Sequence, residues 1–260
     1  MTVLTTRRWT GRGGRAVLVH GVTAWSATWW RIGPALAERG WDVTAVDLRG
    51  HGDSPRAGAS LTLDDLGRDL IETVGVEPLE LVVGHSLGAL AVMSAVGQRP
   101  QLAPKIVLEE PPGIASVDRA LLAALIADDL QRVADQEAFV ARTQQENPKW
   151  HQRDVLEAVE GLMKCEGAAI VRAVGNRELD WDLAVLAAGI QAPTLVLTAV
   201  DTNAAFGSES GGSALNGDER AAFIAALRDA RHLVVDGGHS IHRSEPELWL
   251  DAVTSFASGA

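Results

Sequence analysis

Short apolar runs and longer segments with helical spacing take turns along this chain. Residues 15–20, 41–46, 79–84, 105–108, 193–198 and 232–235 are rich in Val, Leu, Ile and Ala and are bounded by Gly, Pro or polar residues, and the more polar 3–9 also reads as a strand. That is the signature of short strands buried on both faces. Residues 29–39 predict a helix stopped at Gly40, a glycine C-cap. Thr62 with Asp65 forms a capping box ahead of Leu63, Leu66, Leu70 and Val74, which share one helical face. Helix 87–97 follows the 79–84 strand, and a last helix is predicted from a second capping box, Ser244 with Glu247. Strands alternating with helices mean a mostly parallel sheet covered on both faces.

The rhythm breaks from about residue 116 to 187, where helical runs such as Leu121, Leu122, Leu125 and Ile126 appear and no convincing strand does. We read 1–112 and 190–260 as one core domain and 113–189 as a helical cap inserted into it. The Gly/Ser-rich stretch 207–213 is expected to be mobile.

Composition narrows the function. A formal charge of −11 argues against nucleic acid or an anionic membrane surface as partner. No polybasic run, long apolar span or signal-peptide core appears, so a cytoplasmic location is expected. The single cysteine, Cys165, allows no internal disulfide and reads as a small packing residue rather than a catalytic thiol. Eight tryptophans stand beside no tyrosine, so no phenol serves any site in this chain.

Gly84-His85-Ser86-Leu87-Gly88 carries the chemistry. This G-x-S-x-G lies between a strand and a helix, the context of a nucleophile elbow that lifts a serine hydroxyl out at the sheet edge. A serine hydroxyl needs an imidazole to take its proton and a carboxylate to orient the imidazole. Of seven histidines, His239 in Gly237-Gly238-His239-Ser240 follows the last strand on a glycine loop and is the expected base. His232 on that strand reads as structural, and His151 falls in the cap. His242 suggests a metal pair with His239, but no accompanying ligand set is visible, so it reads as a surface or supporting residue and no metal is expected. The oxyanion donors are expected to be the backbone N–H groups of Leu87, after the nucleophile, and Val22, after His20-Gly21. Trp25 is a candidate pocket wall and Trp30 a packing residue. Trp150 and Trp181 could close over a substrate or pack the cap.

The order His20-Gly21, Asp47-Leu48-Arg49-Gly50-His51-Gly52-x-Ser54, Gly84-His85-Ser86-Leu87-Gly88 and Gly238-His239 resembles the α/β-hydrolase superfamily across residues 15–258. The resemblance implies an eight-stranded, mostly parallel sheet with helices on both faces, a helical cap and no cofactor. Many members carry the triad acid in a G-x-x-D turn after the strand at 193–198. Here that turn reads Ala199-Val200-Asp201-Thr202, with Asp201 one residue early. Glu110, in Glu109-Glu110-Pro111-Pro112 after the 105–108 strand, aligns with the acid of the fungal zearalenone lactonase type. Glu109 would face the other way, because side chains alternate along a strand. Glu110 is therefore favoured as acid, with Asp201 as the alternative.

Relatives that open epoxides or remove halides use an aspartate at the elbow, and the epoxide hydrolases add cap tyrosines, so Ser86 and the missing tyrosines exclude both. What remains is a serine hydrolase for esters or lactones of a small, largely apolar substrate. The alternatives are a C–C bond hydrolase of the ring-cleavage type and a hydrolase-fold ligand receptor with little turnover. Either a monomer or a homodimer is compatible with the sequence.

Overall fold

The computed structural model describes residues 2–113, 118–201 and 212–259. Seven strands form one sheet: β1 (Thr6–Trp9), β2 (Arg15–Val19), β3 (Asp42–Val46), β4 (Leu81–His85), β5 (Ile106–Glu109), β6 (Thr194–Ala199) and β7 (Ala230–Val235). Their spatial order is β1-β3-β2-β4-β5-β6-β7, with only the β1–β3 pair antiparallel. The sheet thus has seven strands among the described residues, not eight. The first two strands read from the sequence do not pair with each other: β1 pairs with β3 at the sheet edge, and no further strand extends beyond it.

Side-chain alternation on the strands fills two separate cores. Ala16, Leu18, Val83, Val107 and Leu197 face one way and pack against α1 (Ile32–Glu38) and α11 (Pro246–Ser258), with Trp29 and Trp249 fully buried between them. Val17, Val19, Val82, Leu108 and Val196 face the other way, toward α2 (Leu63–Val74) and α3 (Leu87–Gln98). Helix α3 is buried from Leu87 to Val96 and apolar all round, as a helix enclosed by sheet and helices must be.

Between β5 and β6 stand five helices: α4 (Arg119–Arg132), α5 (Gln136–Glu146), α6 (Gln152–Lys164), α7 (Gly167–Gly175) and α8 (Leu183–Ala188). Ile126, Ile170, Val174, Leu179 and Leu183 join the same apolar cluster as Val17 and Leu90, so this block is packed into the core as well as over it. Phe139, Val159 and Leu162, with Val133, make a small cluster of their own between α5 and α6. Helix α9 (Gly217–Ala226) and the short α10 (Ile241–Ser244) complete the described structure. No helix among the described residues is long and apolar enough to cross a membrane.

Two local expectations are corrected. The helix predicted over 29–39 is a 3-10 turn (Ser26–Trp29) followed by α1. Pro34 lacks the N–H that a helix starting at Trp29 would need, but it is harmless in the first turn of α1. Ser244 caps nothing: its Oγ donates to the Ser240 carbonyl, and α11 begins at Pro246 with Glu245 as N-cap. The Thr62 box forms, with Thr62 Oγ1 accepting from the Asp65 N–H. The expected mobile stretch 207–213 lies outside the described residues up to 211; Ser213 is buried.

Candidate active site

Ser86 sits where β4 turns into α3, at φ 52 and ψ −117, a backbone region that costs a non-glycine residue about 1–3 kcal/mol. The close approach of helix and strands imposes the flanking glycines. A Cβ on Gly84 would lie 2.4 Å from the Gly88 carbonyl oxygen, and one on Gly88 would lie 2.3 Å from that of Val19. The Ser86 N–H donates to the Glu109 carbonyl at 2.9 Å, which ties the elbow to the end of β5. Helix α3 then directs its unsatisfied N-terminal N–H groups at the space beside the Ser86 side chain.

Three of the four non-glycine residues with positive φ cluster here: Thr23 in the loop after β2, Ser86, and Glu110 after β5. The Thr23 loop is braced from below by His20. Its Nε2 accepts from the Leu48 N–H at 2.9 Å, so its Nδ1 carries the proton and donates to the Gly21 carbonyl at 2.7 Å. Burial holds this ring neutral, with its pKa lowered to about 4, and the neighbouring His51 is lowered to about 3 for the same reason. Val22 follows in that loop, and no hydrogen bond of the described residues uses the N–H of Val22 or of Leu87.

Glu110 is fully buried, and its side chain accepts four hydrogen bonds. Oε1 takes the Ala199 N–H (2.6 Å) and Ser213 Oγ (2.7 Å); Oε2 takes the Ala214 N–H (2.7 Å) and His239 Nδ1 (3.0 Å). Charge-assisted bonds of this kind fix the position of a carboxylate. With Nδ1 held by Glu110, the orientation of the imidazole is set. Asp201 is engaged elsewhere: Arg220 grips it with two bonds of 2.7 and 2.8 Å, and it is half exposed. The structure thus brings His239 to Glu110 and holds Asp201 on Arg220.

The adjacent Glu109 serves the opposite face of the sheet. Its Oε1 accepts from the His242 N–H (3.0 Å) and Nδ1 (2.8 Å), and its Oε2 from Trp249 Nε1 (2.9 Å). His242 is therefore a buried residue with a carboxylate partner, not a surface residue without one. Desolvation raises the Glu109 pKa and lowers those of His242 and His85 well below the usual imidazole value. His85, Glu109 and His242 offer ligand atoms within 4.8 Å of one another. These side chains are hydrogen-bonded to protein groups: His85 Nε2 donates to the His239 carbonyl (2.9 Å), and Thr28 Oγ1 lies 3.1 Å from His242 Nε2. The cluster is a hydrogen-bonded support beneath the His239 loop rather than an open coordination set.

Ser86, His85, His239 and Val22 line a cavity of about 490 Å³. Its other wall comes from α4, α5 and α6, through Leu122, Ile126, Phe139 and Leu162, with Trp150 before α6. Trp150 is the one candidate tryptophan in the lining. Trp25 is not in that lining: it is buried, with Lys164 Nζ 4.0 Å from its ring centre. Trp181 is not in the lining either: its Nε1 donates to the Pro112 carbonyl at 2.7 Å, and Arg119 lies over its ring, so it anchors the chain after Glu110. Trp30 bonds Asp154 through Nε1, and His151 caps α6. His232 meets Thr198 Oγ1 within β7 and β6. Cys165 is half-buried, and burial pushes its thiol up to about 11, which disfavours the thiolate.

Sequence reasoning passed over Arg243 and Arg142, both in the lining. Arg142 pairs with Asp129 at 2.5 Å. Arg243 lies four residues beyond His239 on α10, and that spacing was the available signal. Phe139 was equally silent, one apolar residue in a polar helix.

A family profile described as the alpha/beta hydrolase fold matches residues 17–159, more than half of the chain. An uncharacterized protein of Mycobacterium tuberculosis is 38% identical over 107 residues, 40% of this chain and 31% of that protein. Methylesterase 17 of Arabidopsis thaliana is 33% identical over 89 residues, 33% of this chain and 32% of the relative. The match spans about a third of the length of these curated relatives. Among solved structures, the N-formylmaleamic acid deformylase of Pseudomonas putida S16 superposes with a TM-score of 0.77 at 22% identity, covering 96% of this chain and 94% of that one. Other structures with this fold include esterases and lactonases. With a matching profile, a seven-stranded, mostly parallel sheet and a strand–serine–helix elbow, this chain belongs to the alpha/beta hydrolase family.

Proposed function

We propose that this protein is a serine hydrolase of carboxylic esters or lactones, working through Ser86, His239 and Glu110. The observation that carries the reading is the 3.0 Å contact between Glu110 Oε2 and His239 Nδ1 in a cavity that also holds Ser86 at a strained elbow. His239 Nε2 takes the Ser86 proton as Oγ attacks the carbonyl carbon. The N–H groups of Val22 and Leu87 receive the developing oxyanion. His239 then protonates the leaving alkoxide and, with the acyl group on Ser86, activates water for the second half-reaction. Helices α4–α6 act as the cap, covering the site and excluding bulk water. Methylesterase 17 and the lactonase neighbours are consistent with this bond class. No step calls for a metal or cofactor, and we place the protein in the cytoplasm.

The test is labelling with a fluorophosphonate followed by peptide mass spectrometry. A single adduct on Ser86, lost in Ser86→Ala together with turnover of an ester and lactone panel, supports the reading. Turnover in Ser86→Ala within tenfold of the parent overturns it.

A further inference from the structure

Arg243 is 6% exposed and lines the same cavity as Ser86 and His239. Its Nε and Nη2 both donate to Thr28 Oγ1, at 3.1 and 2.7 Å. The threonine hydroxyl in turn donates to His242 Nε2, whose Nδ1 is bonded to Glu109, so the guanidinium edge is held against the Glu109 support. No carboxylate among the described residues lies within ion-pair distance of Arg243: Arg31 holds Asp154 and Arg153 holds Glu157 Oε1, and these two and Glu109 act on the guanidinium only from farther away. The other face of the guanidinium stacks on Trp150 at 4.5 Å. Nη1 has no hydrogen-bond partner among the described residues, and Arg243 lines the cavity. A desolvated cation with no carboxylate in contact is costly to keep, and a direct anionic partner would relieve that cost.

The remaining charges of the cavity wall are matched. Asp129 and Glu146 both meet Arg142, at 2.5 and 3.7 Å, and Asp128 meets Arg132 at 2.6 Å. That leaves Arg243, among the described residues of the wall, as the guanidinium with no carboxylate in ion-pair contact, in a chain whose formal charge is −11. A protein this acidic repels anions in general, so it admits one only where a local cation is provided.

We propose that Arg243 is a carboxylate-binding subsite and that the substrate is an ester or lactone bearing a free carboxylate. The free Nη1 end of the guanidinium offers charge-assisted donors to a carboxylate oxygen, Trp150 sets the angle of approach, and the apolar side chains of α4–α6 surround the intervening carbon chain. This assignment rests on the hydrolase reading for the bond cleaved, but not for the anion bound.

The experiment compares monoethyl with diethyl esters of succinate, glutarate and adipate by pH-stat, in wild type, Arg243→Gln and Arg243→Lys checked for folding by circular dichroism. Wild type is expected to favour the monoester of at least one length. The monoester-to-diester ratio of kcat/KM should fall about 10- to 100-fold in Arg243→Gln and less in Arg243→Lys. Equal or better turnover of the diester at all three lengths, or an unchanged ratio in both variants, overturns the proposal. Calorimetric titration with glutarate and adipate separates the two readings. Binding by wild type that is lost in the variants, without ester turnover, retains the subsite and removes the hydrolase assignment. Neither binding nor turnover removes both.

Discussion

Glu109 and Glu110 are neighbours in the chain, both fully buried, and each is bonded to a different histidine on opposite sides of the sheet. Glu109 Oε1 holds His242 Nδ1 at 2.8 Å, and Glu110 Oε2 holds His239 Nδ1 at 3.0 Å. The pleat separates the two carboxylates, and the positive φ of Glu110 turns its side chain toward the end of β6. One dipeptide thus supplies both the partner of His239 and the support beneath its loop.

If Glu110 orients His239, Glu110→Gln loses about 10²–10⁴ in kcat, since the amide no longer holds the reactive tautomer. Asp201→Asn removes half of an exposed ion pair with Arg220 and stays within about tenfold of the parent. Steady-state kinetics on both variants, after thermal melts show each to be folded, decide between them. A crippled Asp201→Asn beside a near-normal Glu110→Gln would reverse the assignment.

Glu109→Gln is expected to act on stability first. It leaves the His242 N–H and Nδ1 and Trp249 Nε1 facing a poorer acceptor in a fully buried place. Loss of such bonds costs roughly 1–3 kcal/mol. Chemical denaturation should show that loss, while kcat falls much less than in Glu110→Gln. The reverse pattern would mean that the two carboxylates have exchanged roles.

How much of this was legible before the fold was known follows from how local each signal is. The elbow could be read because strand, turn and helix are contiguous and two glycines mark where backbones touch. The inner strands β2, β4, β5 and β6 fell within a few residues of their observed ends because both-face burial leaves a run of apolar residues. Glu110 was legible from the carboxylate pair before two prolines, but the Ser213 and Ala214 donors that hold it come from about a hundred residues away. Trp25 and Trp181 could not be sorted from Trp150, since an indole that packs and one that lines a cavity look alike in sequence. Arg243 was hidden for a related reason. Its character comes from carboxylates that other arginines have taken.

The four buried histidines His20, His51, His85 and His242 all have lowered pKa values, chiefly from desolvation. Each is neutral in the folded state but protonates below about 6.5 when unfolded. Their contribution is therefore present above that pH and is lost as pH falls toward the folded values, about 4 for His20 and about 3 for His51. At pH 5.5 unfolding should take up roughly three to four protons from these residues. Calorimetry in buffers of different ionisation enthalpy measures that number directly. An uptake near zero would mean that these rings are already protonated in the fold.

Gly21→Ala probes the joint between the loop after β2, which we propose supplies an oxyanion donor, and the elbow. An added Cβ would lie 2.8 Å from His85 Nδ1 and 3.1 Å from Ser86 Cβ. Gly21 also accepts the His20 Nδ1 proton through its carbonyl, so the loop cannot back away without breaking that bond. The strain must then fall on the elbow or on the Val22 N–H. Moving one oxyanion donor costs about 10²–10³ in kcat. We therefore expect kcat to drop by about that factor, with KM changed little and a modest fall in Tm. A variant that melts like the parent and keeps its kcat would show that Val22 does not hold the oxyanion. A rise in KM alone would instead place the Gly21 loop on the binding side of the reaction.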